Sequence, residues 1–100
     1  MFITNMQHYL DCNGNIAESM PYEAKALASF QALLVDAATL NGLKNLPILT
    51  DLRCFEKGCE GTIMIEGVLS DNRIQWHCDE CEEMGGIISE WQGTKFDNTK

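Results

Sequence analysis

Basic residues and long apolar segments are scarce in this sequence. Its 100 residues include 7 Lys and Arg against 15 Asp and Glu, which gives a formal net charge of −8. A surface of that sign repels nucleic-acid phosphates rather than attracting them. No stretch approaches the roughly 18–20 apolar residues that a membrane-spanning helix needs, and the first residues lack the basic start of a secretory signal. We therefore expect a cytoplasmic protein for which membrane insertion and nucleic-acid binding are disfavoured.

The motifs of common catalytic sites are also missing. The sequence has no Gly-rich phosphate loop, no Ser-His-Asp order and no H-E-x-x-H segment. Its acidic residues are numerous but follow no pattern of catalytic pairs. We predict no catalytic residues and no enzymatic activity.

The length indicates one domain with a small core. A chain of 100 residues buries a limited share of its surface, so a structural metal or another cross-link is expected to support it. We divide the chain into five segments. They are an arm (1–18), a helix (19–43), a connecting strand (44–53), a four-cysteine module (54–92) and a tail (93–100).

The helix is the clearest secondary-structure element. Pro21 suits the first turn, Glu23 complements the positive helix end, and Asn41-Gly42 is a stop signal. At about 100° per residue, nearly the whole circumference is apolar, which is wider than the apolar face of an ordinary surface helix.

The width of that apolar surface predicts cover on more than one side. Leu33 and Leu40 lie on a different side from the line of Leu27, Phe30 and Leu34, so one sheet cannot bury them all. Either the arm covers the second side, through Phe2, Tyr9 and Leu10, or a second copy does. We favour a homodimer through the helix at 21–41, because closed symmetric dimers are the commonest soluble assembly.

In the remaining chain, apolar and polar residues alternate as they do in short β-strands. Pro47 breaks the helix and precedes the strand that ends at residue 53, and two further strands are predicted at 62–69 and 74–77. Another follows Gly85-Gly86 at 87–91. The predicted fold class is α+β, with one long helix packed on a small antiparallel, zinc-ribbon-like sheet.

Four cysteines have the spacing of ligands to one metal ion. Cys54 and Cys59 form a C-x4-C pair, eighteen residues follow, and Cys78 and Cys81 form a C-x2-C pair. Two close pairs separated by about the length of a β-hairpin are typical of a zinc ribbon, in which both pairs converge on one tetrahedral ion. We predict one structural zinc per chain, bound by these four residues.

Two alternatives for these cysteines stay open. The pairs can form two disulfides, or the chain can be a degenerate, metal-free ribbon with reduced cysteines. Redox catalysis at Cys78 and Cys81 is disfavoured, because the acidic cluster (Asp79, Glu80, Glu82 and Glu83) raises thiol pKa values. The fifth cysteine, Cys12, is interpreted as a structural thiol in the arm.

The acidic cluster and the tryptophans each allow a functional and a structural interpretation. The cluster is either a solvated loop or a docking site for a basic partner. Trp76 and Trp91 either stack on bases or pack in the core, and the acidic charge favours the core. In a strand, the side chain of His77 lies on the opposite face to that of Cys78, so it is predicted to face a neighbouring strand rather than the metal.

The chain resembles a group of short, uncharacterised bacterial proteins that carry an alanine-rich helix before a C-terminal zinc-ribbon-like module. The resemblance rests on residues 21–30 (PYEAKALASF), 53–54 with 59–61 (RC and CEG), 74–81 (IQWHCDEC) and 86–94 (GIISEWQGT). It implies a bacterial cytoplasmic setting, a ribbon-like fold and no catalytic residues. We expect a protein-interaction module, and the alternative is a nucleic-acid-binding ribbon.

Overall fold

The computed structural model describes residues 2–56, 58–81 and 84–99 as one α-helix and a five-stranded mixed sheet. The strands are β1 (Phe2–Asn5), β2 (Ile48–Arg53), β3 (Thr62–Val68), β4 (Ile74–Cys78) and β5 (Gly85–Ser89), and the helix α1 is Tyr22–Leu40. Two 3-10 helices, Met6–Tyr9 and Leu43–Asn45, flank α1. The α+β class is therefore as predicted. No helix in the described part of the chain is long and apolar enough to cross a membrane.

The prediction of a purely antiparallel sheet is wrong. The strand order is β1-β5-β4-β3-β2, and β1 pairs in parallel with β5 while the other neighbours are antiparallel. Residues 2–5, expected to be part of an arm, add this parallel edge because backbone and side chains both bond to β5. The Ser89 hydroxyl, for example, donates to the Thr4 carbonyl over 3.1 Å.

Gly86 allows β1 to approach the sheet closely. A Cβ at this position would lie 2.5 Å from the Phe2 carbonyl oxygen and 2.9 Å from Trp76 Nε1. Both distances are shorter than any normal contact of a side chain, so only glycine fits here without a shift. The parallel edge therefore depends on a residue in β5.

The alternation of β3 and β4 builds the core. Ile63 and Ile65 in β3, and Ile74, Trp76 and Cys78 in β4, all turn their side chains to the buried face. In each strand the intervening residues are at least partly exposed, as period-two patterning requires.

Helix α1 buries one side and exposes another. Its buried residues include Ala28, Leu34 and Val35, and Phe30 meets the Trp76 ring edge-on at 5.1 Å between centroids. The segment after β1 also packs on the helix, with Met6 fully buried. This cover does not reach Leu33 and Leu40, which are 52% and 70% exposed.

The residues after β5 pack on the C-terminal half of α1. The backbone N–H of Asn98 donates to the Thr39 hydroxyl (3.0 Å), and its side-chain amide donates to Asp36 Oδ1 (2.8 Å). Trp91 Nε1 donates to the Asn72 carbonyl, so the end of the sheet is tied to the β3–β4 turn. Residues 93–99 belong to the segment that was predicted to be a tail (93–100), and they are part of the packed structure.

Candidate metal centre

Strand pairing brings the two cysteine pairs to one end of the sheet. Cys54 directly follows β2 and Cys78 is the last residue of β4, while β3 pairs with both strands. Backbone bonds hold the two turns in place. The Cys54 N–H donates to the Gly61 carbonyl (2.9 Å), and the Asp79 N–H donates to the Thr62 carbonyl (2.9 Å).

The four sulfurs form a compact cluster. All four Sγ atoms lie within 4.8 Å of one another. The Cys54 and Cys81 sulfurs are 3.7 Å apart, and the Cys59 and Cys78 sulfurs are 3.6 Å apart. Around a tetrahedral ion with Zn–S bonds of about 2.3 Å, neighbouring sulfurs are separated by about 3.8 Å. These two separations therefore match the edges of such a site, and the cluster is close enough to hold one metal ion.

The backbone around the cluster favours thiolates. The N–H groups of Glu56 and Gly61 donate to the sulfurs of Cys54 and Cys59 at 3.5 and 3.4 Å. Those of Glu80 and Cys81 both donate to Cys78 Sγ at 3.4 Å. Each donor lies two or three residues after the sulfur that it contacts, so the short turns themselves supply the hydrogen bonds. Donors of this kind stabilise negative charge on the ligands of a cation.

The thiols of the cluster differ in acidity. Burial raises the pKa of Cys54 to about 12. Burial also opposes ionisation of Cys78, but the N–H groups of Cys81 and Glu80 donate to its sulfur and lower its pKa to about 7. For Cys59, the Gly61 N–H lowers the pKa, while burial and the sulfurs of Cys78 and Cys81 raise it, and the net direction is upward. Backbone donors therefore make Cys78 the most readily ionised of these three thiols.

Gly61 lets the two turns converge. A Cβ at this position would lie 2.6 Å from Cys78 Sγ and 2.7 Å from both Cβ and Cγ of Glu80. The turn that carries Cys59 and the turn that follows Cys78 therefore touch at a point where no side chain fits.

The other candidate residues lie outside the cluster. Cys12 is an exposed free thiol, and none of the five cysteines is in a disulfide. His77 Nδ1 lies 2.9 Å from Glu66 Oε1 on the adjacent strand, away from the metal site. Asp79 and Glu80 are exposed. Glu82 and Glu83, the rest of the acidic cluster, fall outside the described residues.

Both tryptophans are buried, each with 2% of its surface exposed. Neither ring is available as an open platform on which a base can stack. The core interpretation of Trp76 and Trp91 is therefore the one that the structure supports.

A cluster of aromatic side chains beside the metal centre was not predicted from the sequence. Phe55 directly follows Cys54, and its ring lies 5.0 Å from that of Phe30 and 5.8 Å from that of Phe2. These rings wall a cavity of about 550 Å³, the aromatic cavity, with charged residues from α1 and β2 beside them. Its lining residues are Phe2, Tyr22, Glu23, Ala26, Leu27, Phe30, Arg53 and Phe55. In the sequence, the only indication that Phe55 lies near the site is its position next to Cys54, a predicted ligand. Its contacts with Phe30 and Phe2 join distant segments of the chain, so no local pattern predicts them.

Comparison of the chain with protein-family models, with curated proteins and with solved structures gives no match. The geometry of the metal centre and the surface of the described residues are therefore the evidence for its function.

Proposed function

We propose that this chain is a small, metal-stabilised protein-interaction module. Cys54, Cys59, Cys78 and Cys81 bind one zinc ion, and α1 presents the binding surface. The compact sulfur cluster supports the first part, and the exposed apolar residues of α1 support the second.

The donor set favours zinc in a structural role. Thiolates select soft or borderline ions, and a tetrahedral site with four sulfurs is typical of structural zinc. Four protein ligands fill the coordination positions of such an ion, which leaves none for a substrate. The metal in this proposal therefore holds the ends of β2, β3 and β4 together, and the protein is not an enzyme.

The observation that carries the interaction role is a row of exposed apolar residues on α1. Tyr22, Leu33 and Leu40 are 82%, 52% and 70% exposed, and Ala26 between them is also exposed. We call Tyr22, Ala26, Leu33 and Leu40 the helix stripe. Isolated apolar residues on a surface need no explanation, but a row along one helix is a common protein-binding surface.

The charge favours a protein over a nucleic acid as the partner. Residues 54–100, which carry the four cysteines, hold 4 basic and 10 acidic residues, a net charge of −6. Four thiolates around a divalent ion would add about two further negative charges. A nucleic-acid-binding ribbon is the alternative function, and it requires a basic surface that this half of the chain lacks.

The proposed setting is the bacterial cytoplasm, following the resemblance described above. Thiols stay reduced there, so metal binding is favoured over disulfides. The fold of the module in this proposal is zinc-ribbon-like at the end that holds the cysteines.

The metal part of the proposal is tested by elemental analysis of untagged protein purified without added metal. We expect about one zinc per chain, and a Cys78→Ser, Cys81→Ser variant should contain none. Protein that contains no metal, or that forms disulfides within the two pairs, would show that the site is degenerate or oxidised.

The interaction part is tested by photocrosslinking in cells that naturally produce the protein. A benzoylphenylalanine at Leu33 should yield crosslinked protein, whereas the same residue at Asp51, which is exposed on β2, should not. Crosslinks to nucleic acid, or none at either position, would contradict the role of the helix stripe. Retention on heparin that falls with salt would favour the alternative function.

A further inference from the structure

The helix stripe has the spacing of a helix-packing seam. Ala26, Leu33 and Leu40 are separated by seven residues each, and at 3.6 residues per turn all four members of the stripe fall within about 40° of one another. Coiled-coil seams use apolar residues at two positions of each seven-residue repeat to keep one face toward a partner helix, and the stripe supplies one of these positions. The stripe is therefore suited to another helix that runs along it.

The two ends of the stripe have opposite shapes. Tyr22 and Ala26 form part of the wall of the aromatic cavity at one end. Leu40, at the other end, projects into solvent with 70% of its surface exposed. One end is thus recessed and lined mostly by apolar groups, with Glu23 and Arg53 beside them, and the other carries a bulky apolar side chain.

These shapes are self-complementary. We propose that a second copy of this chain packs antiparallel along α1, with a two-fold axis at Leu33, and that Leu40 of each copy enters the aromatic cavity of the other. Leu33 is seven residues from Ala26 and seven from Leu40, about 10.5 Å along the helix in each direction. A two-fold axis at Leu33 therefore places Leu40 of one copy over Ala26 of the other, and both contacts form at once. This inference rests on the proposed interaction role and names its partner.

Charges at the two ends agree with this arrangement. Glu23 of α1 and Arg53 of β2 lie in the wall of the aromatic cavity, and Lys44 follows Leu40 in the 3-10 helix Leu43–Asn45, where it is exposed. Neither Glu23 nor Lys44 has an ion pair among the described residues. Antiparallel packing brings the segment after Leu40 toward the N-terminal end of the other α1, so Lys44 approaches Glu23. Because two chains of net charge −8 repel, the apolar contact supplies the attraction, and added salt should not weaken it.

Sedimentation of the metal-loaded protein tests the contact. We expect a dimer, and Leu40→Ala should raise its dissociation constant about a thousandfold, because each dimer loses two buried apolar contacts and each loss raises the constant about thirtyfold. Ala26→Phe should have a similar effect by filling the entrance to the cavity. Leu49→Ala is the matched control, since Leu49 is 56% exposed but lies on β2, away from the stripe. It should leave the dimer unchanged.

Disulfide trapping in a Cys12→Ser background tests the register. Leu33→Cys should crosslink copies of the metal-loaded protein across the two-fold axis. Ala26→Cys with Leu40→Cys in the same chain should crosslink too, while Ala26→Cys alone should not.

The outcomes separate this inference from the proposed function. A dimer that tolerates Leu40→Ala, or crosslinks that contradict the register, would overturn the arrangement. A chain that stays monomeric at millimolar concentration would overturn self-association. If Leu33 then crosslinks a different protein in cells, the interaction role stands and only the identity of the partner is wrong.

Discussion

Replacing Gly61 by alanine should weaken metal binding through one added methyl group. The new Cβ would lie 2.6 Å from Cys78 Sγ and 2.7 Å from two atoms of Glu80, where ordinary contacts are 3.4–4 Å. Gly61 does not have a left-handed backbone conformation, so the strain comes from the added atom alone. Its N–H also donates to Cys59 Sγ, and a shift of this residue would disturb a second ligand.

The magnitude follows from the cost of overpacking. An extra methyl group in a well-packed site costs about 1–3 kcal/mol. If that strain is carried by the metal-bound state, zinc affinity falls roughly 5- to 150-fold. Gly67→Ala is the matched control, because Gly67 in β3 also lacks a left-handed conformation and an added Cβ there meets nothing within 4 Å.

Zinc titration in competition with a chromophoric chelator measures the effect. The Gly67→Ala protein should bind zinc as the unaltered protein does, and the Gly61→Ala protein should bind it more weakly and unfold at a lower temperature. Equal affinity together with equal melting temperatures in all three proteins would refute the close convergence of the two turns, and with it the geometric argument for the metal centre.

Four further predictions follow from the site and the core. Cys78→Ser removes a predicted ligand and the acceptor of two backbone N–H groups. It should lower the melting temperature by about 10 °C or more, since loss of 1 kcal/mol shifts a domain of this size by about 4–8 °C. Cys12→Ser, at an exposed position, is the control and should leave the melting temperature unchanged. Zinc affinity should rise with pH, because Cys54, whose pKa is raised to about 12, must lose its proton to bind. In protein without metal, stability in urea should rise between about pH 7 and 9, because Cys78, whose pKa is lowered to about 7, loses its proton in the folded state before it does in the unfolded state. It should fall between about pH 9 and 12, because the folded state holds the Cys54 proton more tightly than the unfolded state does. Gln31 is 1% exposed and its amide has no hydrogen-bond partner in the described protein, so Gln31→Met should raise the free energy of unfolding by about 1 kcal/mol, and a decrease would contradict this.

The sequence was most informative where chemistry requires a local pattern. The spacing of Cys54, Cys59, Cys78 and Cys81 identified the four residues whose sulfurs the structure brings together. Helix α1 begins directly after Pro21 and ends before Asn41-Gly42, as the terminal signals predict. The helix ends depend on residues within a few positions of each other. The metal ligands belong to a set of cysteines that has few alternatives in this sequence.

Long-range contacts were the part that local patterns could not supply. The parallel pairing of β1 requires that four residues near the start of the chain find β5, and the requirement for Gly86 appears only once Phe2 and Trp76 are in place. Likewise, the sequence shows Thr39 only as a polar residue of the helix. Its role as the acceptor of a hydrogen bond from the Asn98 N–H is seen only in the structure. Phe55 and Phe30 form the aromatic cavity because the metal-site turn lies beside α1, which no spacing in the sequence encodes.

The parallel edge strand also dictates when the fold can be completed during synthesis. Thr4 bonds to Ile87, 83 residues further along the chain. At about 5–20 residues per second, a ribosome needs roughly 4–17 s to add that length. Throughout this interval the nascent chain presents Phe2 and Ile3 without the strand that they will join, and exposed apolar segments of this kind are prone to aggregation. The four cysteines are all made before Ile87, so the proposed zinc ion would be able to hold β2, β3 and β4 together first. Strand β5 would then join β4, and only after that would β1 have its pairing partner.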